Sequence, residues 1–183
     1  MKRRTMSGPD IIAMMNRPMP FSHMRSAWLL LAVSALGLEL AALWFQYGMR
    51  LDPCVMCVYE RLAVIGILLA GLLGLLQPRW LMLRVAGYLL WAGSAGWGLH
   101  LALRHTAIQA DKTGALSCSF LPDFPTWLPL HEWMPALFLP TGYCDDVQWQ
   151  WLSLTMAEWM VVVFAIYLLT LAVVLIAGVR NRF

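Results

Sequence analysis

The chain has 183 residues, 61% of them hydrophobic and only 13% charged. A soluble domain carries about a quarter charged residues, and one this small cannot bury so much apolar surface in a single core. A water-soluble globule is therefore excluded, a disordered chain is excluded by the low charge and many aromatics, and a net charge of +3 without a basic stripe argues against nucleic-acid binding.

Residues 1–26 contain Lys2, Arg3, Arg4, Arg17 and Arg25 and read as a basic cytoplasmic tail. A first apolar span follows from Ala27 to Tyr47, 21 residues with one charge, Glu39. It is longer than the roughly 7 to 15 residues of a signal-peptide core and has no convincing Ala-x-Ala site, so it reads as a retained helix. A short loop covers 48–57, and a second span over 58–76 is long enough only if Glu60 and Arg61 sit near the interface. The third span, 85–103, carries His100; after a long loop, 104–158, the fourth runs over 159–179 without a charge. A bilayer core needs about 20 helical residues, with a range of about 17 to 25. Backbone groups in lipid must be satisfied internally, and no barrel-type alternation is present. The fold predicted is an all-α integral membrane protein, a single membrane domain (1–183) built as a four-transmembrane-helix bundle.

Nine of the thirteen Lys and Arg residues fall on one side: the five in the leader, then Arg79, Arg84, Arg180 and Arg182. Only Arg50, Arg61, Arg104 and Lys112 fall on the other. Positive charge marks the cytoplasmic face, so both termini are predicted inside and the loops 48–57 and 104–158 outside.

All four cysteines lie on the outer side. Cys54 and Cys57 form a Cys-x-x-Cys pair in the short loop, and Cys118 and Cys144 sit in the long one. Two structural disulfides pinning the loops are one reading. A redox-active pair is the other, because a Cys-x-x-Cys ring is a weak staple but a good exchange site. Asp52-Pro53 reads as an N-cap followed by a proline at the first helical position. Both thiols would then lie near the positive end of the second helix, where thiolate is favoured. Arg61 follows Cys57 by four residues and shares its helical face. It can stabilise a thiolate or an anionic ligand, or simply snorkel to the interface.

In the long loop Pro122, Pro125, Pro129, Pro135 and Pro140 alternate with Trp127, Trp133 and Phe138, which rules out one regular helix and suits the headgroup region. A short interfacial helix is predicted over His131–Leu139. No metal centre is predicted: His131-Glu132 lacks the second histidine of a zincin motif. Cys118 and Cys144, 26 positions apart, do not offer the second close pair of a four-cysteine zinc site.

Several motifs resemble the disulfide bond formation protein B (DsbB) family. They are Leu38-Glu39-Leu40 with Ala42-Leu43-Trp44-Phe45-Gln46; Pro53-Cys54-Val55-Met56-Cys57-Val58-Tyr59-Glu60-Arg61; His105-Thr106; Phe124-Pro125-Thr126-Trp127-Leu128-Pro129-Leu130; and Gly142-Tyr143-Cys144. The likeness runs from about Ser26 to the end of the fourth span; only the long leader departs from the pattern. In the bacterial periplasm a DsbA–DsbB–quinone relay is what maintains oxidising conditions. The resemblance implies a quinone-dependent protein-dithiol oxidoreductase of the bacterial inner membrane, reoxidising a DsbA-like periplasmic partner. It implies Cys54, Cys57, Cys118 and Cys144 as catalytic residues, with Cys118 taking the partner and Cys144 passing electrons to Cys54. Cys57, Arg61 and His105 are implied as contacts of ubiquinone or menaquinone. From the residues alone, His105 reads more readily as a solvated interfacial residue or a C-terminal cap than as a ligand. Glu39, Gln46 and Glu60 are left without a role. The competing readings are a vitamin K epoxide reductase-like or dedicated-partner thiol oxidoreductase, a non-catalytic disulfide-stapled scaffold, and a metal-delivery protein. The last is disfavoured because the Met residues fall mostly in the leader and apolar spans. Nothing in the sequence calls for more than a monomer.

Overall fold

The computed structural model describes residues 25–180, so the basic leader preceding Arg25 and Arg182 lie outside the described residues. Four long helices dominate: α1 (Arg25–Leu43), α2 (Val55–Leu76), α3 (Leu81–Ala110) and α6 (Met156–Arg180). Between α3 and α6 come two single turns, α4 (Leu130–Trp133) and α5 (Pro135–Phe138), and a small antiparallel ladder of β1 (Gln150–Trp151) with β2 (Leu154–Thr155). Among the described residues, three segments are long and apolar enough to cross a membrane: Arg25–Gly48, Val55–Leu76 and Met156–Gly178. The fourth long helix, α3, has 30 residues, about 45 Å at 1.5 Å per residue. Its composition is more polar, with Arg84, His100, Arg104, His105 and Gln109 along it.

The sequence pattern explains how the helices meet. On α1 the buried positions Trp28, Leu31, Ala32, Ala35 and Glu39 recur at three- and four-residue steps, one face of a helix. Leu29, Leu30, Val33, Leu36 and Leu40 on the other faces stay exposed, as suits lipid contact. Helix α2 packs against both α1 and α3, and α3 also packs against α6. Small residues bring the backbones together, as is usual where no hydrophobic drive separates helix from lipid. A Cβ added to Gly71 would meet the Ala32 backbone at 2.8 Å, and one added to Gly74 would enter the Trp28 ring. Trp28 in turn packs on Tyr88 and Trp91 of α3. Tyr167 Oη donates to Ser34 Oγ at 3.0 Å, linking α6 to α1.

Local chemistry alters three expected features. The N-cap of α2 is Cys54, not Asp52: its sulfur accepts from the Cys57 N–H at 3.3 Å. Asp52 is engaged elsewhere, accepting from Thr141 Oγ1 at 2.9 Å and exchanging two hydrogen bonds with Gln148. Helix α3 continues beyond its apolar stretch to Ala110, carrying His105 within it. The segment expected as a single helix over His131–Leu139 is divided at Met134, which has φ −134° and ψ 65°. The following residue is Pro135, and a residue before proline is pushed out of the helical region.

Candidate redox site

The end of α1 widens into a π-helical turn, Trp44–Gly48, a deviation common at functional sites. It presents Gln46 and Tyr47 to the long loop. Gln46 Nε2 and Tyr47 Oη both donate to the Ala136 carbonyl, at 3.3 and 2.7 Å. Arg61 Nη1 on α2 donates to Gln46 Oε1 at 3.0 Å and to the Leu137 carbonyl at 2.6 Å. Its Nε lies 4.0 Å from Glu39 Oε2 and has no hydrogen-bond partner. Arg61 is therefore a junction between α1, α2 and α5, with its Nε–H unpartnered.

A second set of contacts docks the loop on α2. Tyr59 Oη accepts from the Asp123 N–H at 2.7 Å, and Phe124 stands edge-on to both Tyr59 and Phe138. Val58, Leu130 and Phe138 are buried together beneath. On the other side the strand-like segment around Pro53 accepts two N–H groups from the far end of the loop, Thr141 at 2.9 Å and Gly142 at 3.1 Å. Gly142 is needed there, because a Cβ would collide with the Asp52 carbonyl. The first turn after α3 is held separately: the Thr113 hydroxyl, then the Leu116 and Thr113 N–H groups, keep the Asp111 carboxyl below the usual carboxylate range.

These straps bring all four cysteines into one place. Cys118 and Cys144 form a disulfide with Cα atoms 6.3 Å apart, while Cys54 and Cys57 are thiols. Cys54 and Cys144, each 2% exposed, are buried with Val55, Met56, Leu101 and Ile108, and Cys57 and Cys118 pack against the same cluster. The Cys54 and Cys57 sulfurs are 2.8 Å apart. His105, from one turn before the end of α3, places Nε2 at 3.5 Å from Cys54 Sγ and Nδ1 at 3.1 Å from Glu60 Oε1. A carboxylate only accepts, so Nδ1 carries the hydrogen toward Glu60 and Nε2 faces the thiol. Both His105 and Glu60 are buried.

Beside the inner thiols lies a cavity of about 170 Å³. Cys54, Cys57, Glu60, Arg61 and His105 form part of its wall; Leu38, Ala41, Ala42, Phe45, Val64 and Met160 supply apolar surface. Every sequence-predicted site residue except Cys118 and Cys144 lines it, and those two adjoin it through Cys54. Glu39, Gln46 and Glu60, given no role from sequence, prove to hold Arg61 and His105. Their signal was the three- and four-residue spacing that puts Glu39 on the buried face of α1. The partner of Glu60, 45 residues away, had no such signal.

The model of the family "Disulfide bond formation protein DsbB" matches residues 24–174. A disulfide bond formation protein B of Shewanella sp. (strain W3-18-1) is 57% identical over 148 residues, 81% of this chain and 85% of the relative. Those of Shewanella loihica and Psychromonas ingrahamii are each 52% identical, over 156 and 158 residues, covering 85% and 86% of this chain and 91% and 85% of theirs.

Proposed function

The chain belongs to the DsbB family of disulfide bond formation proteins and is a multi-pass membrane protein, and from that premise we propose that it oxidises a periplasmic DsbA-like dithiol protein and passes the electrons to ubiquinone or menaquinone. The observation that carries this reading is the gathering of two cysteine pairs in one buried cluster, the inner pair on the wall of a cavity that also holds Arg61. A structural pair of staples would have no need of the cavity, and a scaffold would have no need of a buried arginine with an unpaired donor.

The cavity fits a quinone ring. A void of about 150 Å³ accommodates benzene, and this one is comparable and lined mostly by apolar surface. Arg61 Nε and Gln109 Oε1 are both cavity-wall groups without hydrogen-bond partners. A bound quinone supplies an acceptor for two electrons and two protons. Arg61 would hold a ring oxygen at its free N–H, with Glu39 and Gln46 fixing the guanidinium.

The outer disulfide receives the partner. A partner thiolate attacks Cys118, expelling Cys144 as a thiolate, and the second partner thiol then releases the partner as a disulfide. Cys144 attacks Cys54 of an oxidised inner pair, expelling Cys57, and Cys118 re-forms its bond with Cys144 by expelling Cys54. The outcome is an intact outer disulfide and an inner dithiol, the redox state of this structure. Closing the Cys54–Cys57 disulfide releases two electrons and two protons, all of which a quinone held in the cavity would accept. His105, 3.5 Å from Cys54 Sγ and held by Glu60, would carry the Cys54 proton on its way there.

In the membrane, we read α3 as the fourth span and α4–α5 as an interfacial element, with both termini cytoplasmic, the cysteines periplasmic, and the monomer sufficient. Purified chain with quinone should oxidise a reduced periplasmic dithiol protein catalytically, and Cys57→Ser should abolish turnover. A normal rate in that variant contradicts the assignment.

A further inference from the structure

We propose that the reduced inner pair, with His105, is a binding site for a thiophilic divalent cation such as Zn²⁺, and that occupancy arrests the enzyme. This rests on the redox reading only for its consequence; the binding itself follows from the side chains. Cys54 Sγ, Cys57 Sγ and one His105 ring nitrogen lie within 4.8 Å of one another. Tetrahedral zinc takes sulfur at about 2.3 Å and imidazole nitrogen at about 2.0–2.1 Å, so a bound sulfur and nitrogen stand about 3.5 Å apart and two sulfurs about 3.8 Å. The Cys54 Sγ to His105 Nε2 distance is already 3.5 Å. The two sulfurs, at 2.8 Å, must part by about 1 Å to reach that spacing, within reach of a χ1 rotation of the half-buried Cys57. Cys-x-x-Cys at the start of a helix is also a familiar zinc chelate.

Two further features point to a metal. Glu60 Oε1 lies 3.1 Å from His105 Nδ1, so Nε2 is the ring nitrogen that faces the sulfurs. A carboxylate behind the histidine is the usual support of a metal-bound imidazole. Two thiolates and one divalent ion sum to zero charge, which a buried site favours over a monovalent ion. The cavity supplies the fourth position for water. Oxidation removes both thiolates as ligands, so binding is gated by redox state: the ion enters only the reduced enzyme, replaces the two thiol protons, and keeps the Cys54 and Cys57 electron pairs from leaving. The set was invisible to cysteine spacing because its third ligand comes from another helix.

The test uses the full chain in detergent, with Cys118→Ser and Cys144→Ser so that the outer thiols cannot compete. It is reduced, freed of reductant without air and titrated with Co²⁺, with no quinone present. The expected result is saturation at one ion per chain, with an intense tetrahedral visible spectrum and thiolate charge-transfer absorption. Zn²⁺ should displace it, and prior oxidation of Cys54 and Cys57 should abolish it. His105→Ala should remove the tetrahedral spectrum, and the shape-conserving Glu60→Gln should weaken binding by about 10- to 100-fold. The idea is overturned by a weak octahedral spectrum in the parent, by binding that survives oxidation, or by Glu60→Gln binding as tightly as the parent. Because the readout is equilibrium absorption, an inactive enzyme that binds Co²⁺ would refute the quinone reading alone.

Discussion

Gly142→Ala tests how the outer disulfide is presented to the inner pair. The added methyl would collide with the Asp52 carbonyl, so the 141–142 strap must lift from the segment that leads into Cys54. Two hydrogen bonds go with it, from Thr141 and Gly142 to the Pro53 carbonyl. At about 0.5–1.5 kcal/mol each, their loss weakens docking of the Cys144 segment by about 1–3 kcal/mol. That corresponds to about 5- to 150-fold in the docking equilibrium constant, which sets the upper limit on how far the internal exchange between Cys144 and Cys54 should slow. The assay compares two substrates: a protein dithiol, which must enter through Cys118, and a small dithiol reducing the inner pair directly. The variant should lose rate with the protein dithiol and keep it with the small one. Equal rates with both, unchanged from the parent, would refute the strap as a positioning device. Equal losses would show damage to the inner site instead.

Further substitutions divide the remaining roles. Cys118→Ser should bring oxidation of the protein dithiol to background while quinone reduction by a small dithiol continues, as read from quinone absorbance in each assay. Arg61→His removes a charged donor worth about 1.5–3 kcal/mol, so the apparent KM for quinone should rise by about 10- to 100-fold, with the dithiol KM unchanged; a change confined to the dithiol would displace Arg61 from the quinone end.

Much of this architecture was legible because hydropathy reports solvent directly. The exposed Leu and Val of α1 and α6 lie in stretches that read as spans, whereas the small residues facing Trp28 gave no sign of which helix they meet. Cys54, Cys57 and Arg61 stood out because their spacing is local, a Cys-x-x-Cys followed by a cation one turn on, whereas the roles of Cys118 and Cys144 came only from the family resemblance. Interactions that cross the chain were not legible. Asp52 looked like a cap until Gln148, 96 residues away, claimed its backbone, leaving the capping position to the Cys54 sulfur. Glu60 looked like an interfacial charge until His105 supplied its partner from α3. The β1–β2 ladder turns through Leu152 and Ser153, both with positive φ, where sequence preference would place glycine or asparagine. The division at Met134 of the segment expected as one interfacial helix did have a local cause in Pro135, which that expectation had passed over.

The central claim is that the inner pair alone delivers two electrons to a quinone in the cavity beside it. The direct measurement is a single turnover: the Cys118→Ser, Cys144→Ser chain, reduced and freed of reductant, is mixed with excess quinone, and quinol and free thiols are counted. The account predicts one quinol formed per chain, the loss of both thiols, and a Cys54–Cys57 disulfide on peptide mapping. Quinone left unreduced, or quinol formed with both thiols still free, would contradict it.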